Sequence, residues 1–412
     1  MQFHHRAVPI VLSVALLDAI GFGIVLPVLP GLVVKLTQMG LPDATRVGGY
    51  LAAAYALSQF FAGPILGNLG DSIGRRPVLL FSTIAFALDY ALCAAAPTLA
   101  WLFLGRVVAG IAGATFGPAN AVLADVTPPE KRGATFGLMG AAFGIGFILG
   151  PVIAAMISGF GPRAPFLVAG GLAAINAVWI LVALPETMAP DKRRKFDIRQ
   201  AHIIGSFRPL MHAGGAKWLL LAVFLWQFAH MVYPATWAFW GKIAMGWTDQ
   251  QISWSLALSG LGMVIVQTAI LGRVLKRFGE ERTAVLGIFM GMSVFTAYIF
   301  ARENWMVIIL LSVGALQAMA YPSMNGLLSR MTDPSRQGAL QGGMSSLMSL
   351  TWVLAPLVMT QILAAGAEHG FTGGNFALAA GLALLALLVL VFGVIAKVSP
   401  RPVANPADGP IS

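Results

Sequence analysis

Two runs in this chain, Ala7 to Val34 and Phe376 to Ala396, continue almost without charge for at least the roughly 20 residues that an α-helix needs to cross about 30 Å of hydrocarbon. Similar runs recur along the whole sequence. A membrane barrel would instead show alternation over about ten residues. With 58% hydrophobic and 10% charged residues and a mean hydropathy of +0.81, the chain has too little charge to cover a soluble surface, which typically needs about 25% charged residues. It reads as an all-α membrane protein. The first run contains Asp18 and has no small-residue cleavage site, so it is read as the first span and not as a cleaved signal peptide.

Breaks marked by charge, Gly and Pro predict twelve spans, at about 7–34, 46–68, 76–96, 99–124, 133–158, 164–184, 217–240, 252–272, 282–301, 305–329, 337–365 and 373–396. With the N-terminus in the cytoplasm, 20 of the 26 Lys and Arg residues fall on the cytoplasmic side, 5 outside, and Arg106 inside a span. The positive-inside rule therefore predicts an inner-membrane protein with both termini cytoplasmic. Anionic lipid headgroups account for the net charge of +10, so no nucleic-acid partner is implied. The single cysteine, Cys93, excludes an intramolecular disulfide and a multi-cysteine metal site.

A polar stretch from Pro185 to Ala216 divides the spans six and six. The reading is an N-terminal bundle (1–184), a cytoplasmic linker (185–216) and a C-terminal bundle with a short tail (217–412). A shift of 205 superposes Gly67 on Gly272, Gly74 on Gly279, Asn120 on Asn325, Thr127 on Thr332, Pro129 on Pro334, Gly133 on Gly338, Ala134 on Ala339, Gly137 on Gly342 and Pro151 on Pro356. A parallel repeat of this kind relates two bundles by a pseudo-two-fold axis and places a transport site near mid-membrane between them. A duplicated scaffold without transport is the competing reading.

The loop after the second span reads Gly67-Asn-Leu-Gly-Asp71-Ser-Ile-Gly74-Arg75-Arg76-Pro77, and its repeat copy reads Gly272-Arg-Val-Leu-Lys276-Arg-Phe-Gly279-Glu280-Glu281-Arg282. Glycines seven apart permit a tight turn with close helix approach, and Asp71 can face a helix N-terminus or the arginines. The charges are inverted between the copies. No G-x-x-x-x-G-K-[ST] or H-E-x-x-H occurs, and the one G-x-S-x-G match, Gly70 to Gly74, falls in this loop. The sequence thus points away from an enzyme, a nucleotide-driven pump and any cofactor.

This loop resembles the cytoplasmic loop of the major facilitator superfamily. Leu16-Leu-Asp18-Ala-Ile-Gly-Phe-Gly-Ile-Val-Leu-Pro27-Val-Leu-Pro30, Leu104-Gly-Arg106-Val-Val-Ala-Gly110 and Gly146-Phe-Ile-Leu-Gly150-Pro151 narrow the resemblance to its twelve-helix drug/proton antiporters, in particular the tetracycline efflux branch. Tyr233-Pro-Ala-Thr-Trp237 and Gln337-Gly-Ala-Leu-Gln-Gly342 extend it over nearly the whole chain. The resemblance implies a monomeric exporter of amphipathic, drug-like compounds that exchanges substrate for protons. Departures from the branch are also visible. No acid occurs from Thr283 to Ala301 and no histidine from Ile252 to Gly272, where the best-known tetracycline exporters carry an aspartate and a histidine; Ser72 replaces a basic residue, and Ala154-Ala155 a glycine pair.

Ionisable groups inside spans cost roughly 2.5–3.5 kcal/mol each and usually face a polar cavity. Asp18, Asp89 and Arg106 are the candidates for proton coupling, with a static acid–arginine pair as the alternative. Gln59 and Asn120 are candidate hydrogen-bonders of a substrate, or else interhelical packing amides. In the seventh span, Trp226, Tyr233 and His230 are candidates for an aromatic substrate wall. His230 can titrate near neutral pH or pack as a neutral ring. Trp237 and Trp240 are assigned to the interfacial aromatic belt, and Gly110, Gly113, Gly140, Gly144 and Gly146 to helix packing. An uptake symporter is the other transport reading.

Overall fold

The computed structural model describes residues 4–113, 115–128, 131–196, 216–332 and 337–395, and every regular element among them is helical. Most of the linker (197–215), the end of the C-terminal tail (396–412) and the repeat pair Pro129 and Pro334 lie outside the described residues. Among the described residues, ten segments are long and apolar enough to cross a bilayer. One of them, Asp249–Phe300, contains two passes joined at Gly279, whose φ of 73° breaks the helix. The 33-residue helix Leu41–Ile73, diluted by Ser, Gln and Tyr, supplies the remaining pass, giving twelve.

Local chemistry sets the breaks. The first span is a helix over His4–Val25 and a second over Leu29–Thr37. Pro30 sits in the first turn of the second, where a missing N–H costs nothing. Spans four and seven break in the same way, between Leu99–Ala112 and Phe116–Val126 and between Lys217–His230 and Val232–Met245. Span eight opens on a reciprocal cap in which Thr248 and Gln251 exchange side-chain and backbone hydrogen bonds.

The two halves repeat one pattern of packing. Spans one and five, one and six, two and four, and three and six are neighbours in the N-terminal half. Seven and eleven, seven and twelve, eight and ten, and nine and twelve are their counterparts. Two extensive contacts cross between the halves, span two against span eleven and span five against span eight. Side chains such as Phe160, Val182 and Met156 are more than 70% exposed. On a water-facing surface such apolar exposure would mark an interaction site; here the lipid tails cover it.

Trp237 and Trp240 are not belt residues. Both are 1% exposed and pack with Trp247, Tyr298 and Phe376 at ring-centroid distances of 5.1–6.4 Å. Periodicity gives a residue's depth but not the direction it faces, and these two rings point into the bundle. The glycines divide as well. A Cβ on Gly146 would land on the carbonyl of Leu16 and 2.7 Å from the Ala19 Cβ, and one on Gly110 would meet the backbone of Tyr55. Gly137, Gly140 and Gly144 meet nothing within 4 Å, so the expectation that Gly140 and Gly144 serve helix contacts is overturned.

Candidate functional site

A cavity of about 640 Å³ lies on the seam between the halves, walled by side chains from both. On the N-terminal wall, Asp18 enters from the middle of span one and accepts a hydrogen bond from Thr115 Oγ1 at 3.0 Å. The bond is available because Thr115 stands just outside the regular helix, in the turn before Phe116. Gln59 Nε2 donates to the carbonyl of Gly113 at 2.8 Å, a carbonyl in the break of span four. Arg106 reaches the cavity from span four while its Nη2 holds Asp89 Oδ2 at 2.7 Å. Asp89 itself is fully buried behind the wall, with Cys93 Sγ 3.5 Å from its other oxygen. Gly105 provides the room for this carboxylate, since a Cβ there would lie 2.6 Å from Asp89 Oδ1.

The C-terminal wall carries aromatic rings and amides. His230 and Tyr233 flank the break in span seven, their rings 5.5 Å apart and edge-on. Tyr233 Oη accepts from Gln317 Nε2 at 3.0 Å, and Gln227 Nε2 points to Met348 Sδ at 3.1 Å. Phe22 bridges the seam, stacked on Phe147 of its own half at 6.1 Å and edge-on to Trp352 of the other at 6.2 Å.

The structure thus brings Asp18, Arg106, Gln59, His230 and Tyr233 to one cavity. Three candidates do not line it: Asp89, buried behind Arg106, Trp226 and Asn120. Trp226 is 1% exposed and packs against Phe295 and Gly291. Asn120 lies off the cavity, which span four reaches through Arg106, Gly113, Thr115 and Ala119. Tyr55, Tyr90, Thr115 and Gln317 were missed by the sequence reading. Gln317 had a visible signal, a lone amide in an apolar run like that of Gln59. The hydroxyls had none, because Ser and Thr commonly satisfy themselves on the carbonyl four residues back, as Thr83 does.

Beside the cavity, the motif in span five fits span one closely. A Cβ on Gly150 would lie 2.7 Å from Gly23 Cα, and one on Gly23 2.8 Å from Pro151 Cδ. Bare backbone on both helices brings the axis carrying Asp18 against span five.

At the turn after span two, Gly74 has φ 112°, a conformation suited to glycine. Gly67 meets nothing within 4 Å and Gly74 meets only the Glu186 carboxylate, so the expected close helix approach is found at neither. Asp71 bonds Arg75 at 2.6 Å and does not cap the next helix. The cap is Glu186, just after span six, whose two oxygens accept the backbone N–H groups of Arg75 at 2.9 Å and Arg76 at 3.2 Å. Arg75 Nε also lies 3.6 Å from Asp125. In the second half Glu280 pairs with Arg330. These are the positions of Arg75 and Asp125 shifted by 205, with both charges exchanged.

At the opposite end of the molecule from Gly74, ions tie the halves. Arg46 grips Glu368 of the other half through two bonds of 2.6 and 2.8 Å. Lys242 and Asp249 pair at 2.6 Å, and Asp249 lies 3.5 Å from where a Cβ on Gly31 would stand.

Residues 11–248 and 236–410 match the family model described as Major Facilitator Superfamily. The chain is 36% identical to the tetracycline resistance protein, class C, of Escherichia coli over 88% of this chain and 91% of that one. With the class E protein of Escherichia coli it shares 35% over 94% and 95%. Solved structures with the same fold include the human organic anion transporter MFSD10 (TM-score 0.69, 24% identity, 94% of this chain and 99% of that one). The nucleoside transporter NupG is another (TM-score 0.74, 14% identity, 95% and 99%). With that fold, a seam cavity and these relatives, the chain belongs to the Major Facilitator Superfamily and, within it, to the group of the tetracycline resistance proteins.

Proposed function

We propose that this protein exports small amphipathic, drug-like compounds in exchange for protons, by rocking its two bundles about the seam cavity. The observation that carries the proposal is the division of that cavity's walls. One half presents an acid and a guanidinium, Asp18 and Arg106, and the other presents uncharged rings and amides. An apolar cavity with a few convergent polar groups suits an amphipathic ligand. A carboxylate facing it from one bundle gains or loses a proton according to which side the cavity opens to. Asp89 holds Arg106 in place and is positioned to exchange partners when the bundle moves. The resemblance to tetracycline resistance proteins supports export as the direction, and the positive-inside count supports a single chain in the inner membrane with both termini in the cytoplasm.

The test is uptake of fluorescent amphiphiles and of tetracycline into inside-out membrane vesicles energised by a pH gradient. Accumulation that a protonophore collapses, and that Asp18→Asn and Asp89→Asn each abolish at normal abundance in the membrane, is the expected result. Accumulation in right-side-out vesicles instead would replace export with uptake. Unchanged gradient-driven transport in both variants would refute the coupling roles.

A further inference from the structure

Span eight departs from its repeat copy at its cytoplasmic end, where Arg273, Lys276 and Arg277 are all exposed. Spaced i, i+3 and i+4, they share one face of a helix. The helix runs on unbroken from Asp249 through a wide turn at Val266–Ile270. At 1.5 Å per residue, Arg273 and Arg277 stand about 36 and 42 Å from Asp249. The hydrocarbon is about 30 Å thick and the bilayer with headgroups about 40–45 Å. With Asp249 at the outer boundary, the three cations fall at the inner headgroups. Above them the same helix exposes Leu261 and Ile265, neither of which lines the cavity, whereas Ser259, Gly260 and Met263 do. The cavity and the lipids therefore meet different faces of the span.

The fold does not require this charge. At the equivalent positions of the first half stand Asn68, Asp71 and Ser72, on the same helix-turn-helix. Nor do the neighbouring acids neutralise it in full, because Glu280 is held by Arg330. Arg273 reaches back to the carbonyl of Ala269 and Arg277 lies over the Phe278 ring at 5.5 Å, contacts that keep both side chains beside the helix.

We propose that the inner end of span eight is a binding site for an anionic phospholipid, whose phosphate sits among Arg273, Lys276 and Arg277 and whose acyl chain lies along Ile265 and Leu261. The proposal rests on the membrane topology and is independent of what the protein transports. It differs from a diffuse basic surface in requiring these three residues and not merely net charge.

The test uses the full chain in phosphatidylcholine vesicles with acyl-chain spin-labelled phosphatidylglycerol, whose motionally restricted fraction reports association relative to spin-labelled phosphatidylcholine. Neutralising Arg273, Lys276 and Arg277 to Gln should lower the preference for phosphatidylglycerol by up to about fivefold per cation. Neutralising the exposed Arg193, Arg194 and Lys195 to Gln removes the same charge and should leave the preference within a factor of two. Lys276→Arg should retain it, separating loss of charge from loss of fold. An unchanged preference in the span-eight triple variant, or an equal fall in both triple variants, would overturn the site.

Discussion

Replacing Gly146 by alanine tests whether the contact between spans one and five sets the position of Asp18. The added methyl would land on the Leu16 carbonyl and 2.7 Å from the Ala19 Cβ, where carbon atoms normally keep about 3.5–4.0 Å. The obstacle is backbone, so span one must retreat by about 1 Å. Overpacking of this kind costs about 1–3 kcal/mol. Asp18 lies between Leu16 and Ala19, so the same retreat strains its 3.0 Å bond from Thr115. Gly140→Ala is the control on the same helix. Nothing lies within 4 Å of its Cβ, and better helix propensity should stabilise it by about 0.5–1 kcal/mol. Thermal unfolding in detergent gives the stabilities and vesicle uptake gives the transport. Gly146→Ala should melt lower and lose most gradient-driven transport, with Gly140→Ala at or above the parent in both. Equal melting temperatures for the two variants would refute the packing argument. Lost stability with full transport would refute the link to Asp18.

Glu186→Ala should cost about 0.5–2 kcal/mol as a lost helix cap, visible in the same melting assay, and an unshifted melt would contradict the cap. Exchanging charges in Arg46→Glu with Glu368→Arg should restore transport lost in either single variant. Each single change should raise labelling of an outer-facing cysteine placed in a Cys93→Ala background, and equal labelling would show that the ion pair does not hold the outer face closed. His230→Gln keeps hydrogen bonding and loses titration, so the pH profile or the range of exported compounds should change. A superimposable profile with the same compounds would make His230 a packing residue.

The fold was legible because two signals are hard to disguise. Charge is too costly in lipid to be scattered, so the gaps between spans show, and a 205-residue offset recurs through pairs such as Gly74 and Gly279, both at positive φ, and Pro151 and Pro356. Asp18 and Arg106 stood out for the same reason, as rare charges at mid-span. Trp226 did not separate from Tyr233, because the break at Met231 that turns one inward and leaves the other at the cavity arises from how the helices meet. Glu186 and Asp125 could not be assigned partners, since each finds its arginine across 50 residues or more of chain. Polar residues that bond within a helix look the same in sequence whether they face lipid, protein or the cavity.

The exchange of charges between Arg75–Asp125 and Glu280–Arg330 bears on how a duplicated chain assembles. Two near-copies of one bundle inserted in the same membrane risk trading helices, each half accepting the other's fourth or tenth span in place of its own. Such a trade would face Arg75 with Arg330 and Glu280 with Asp125, like against like at both turns. The inverted pairs act as a key that only the correct half fits, so the two copies can share an architecture without sharing partners.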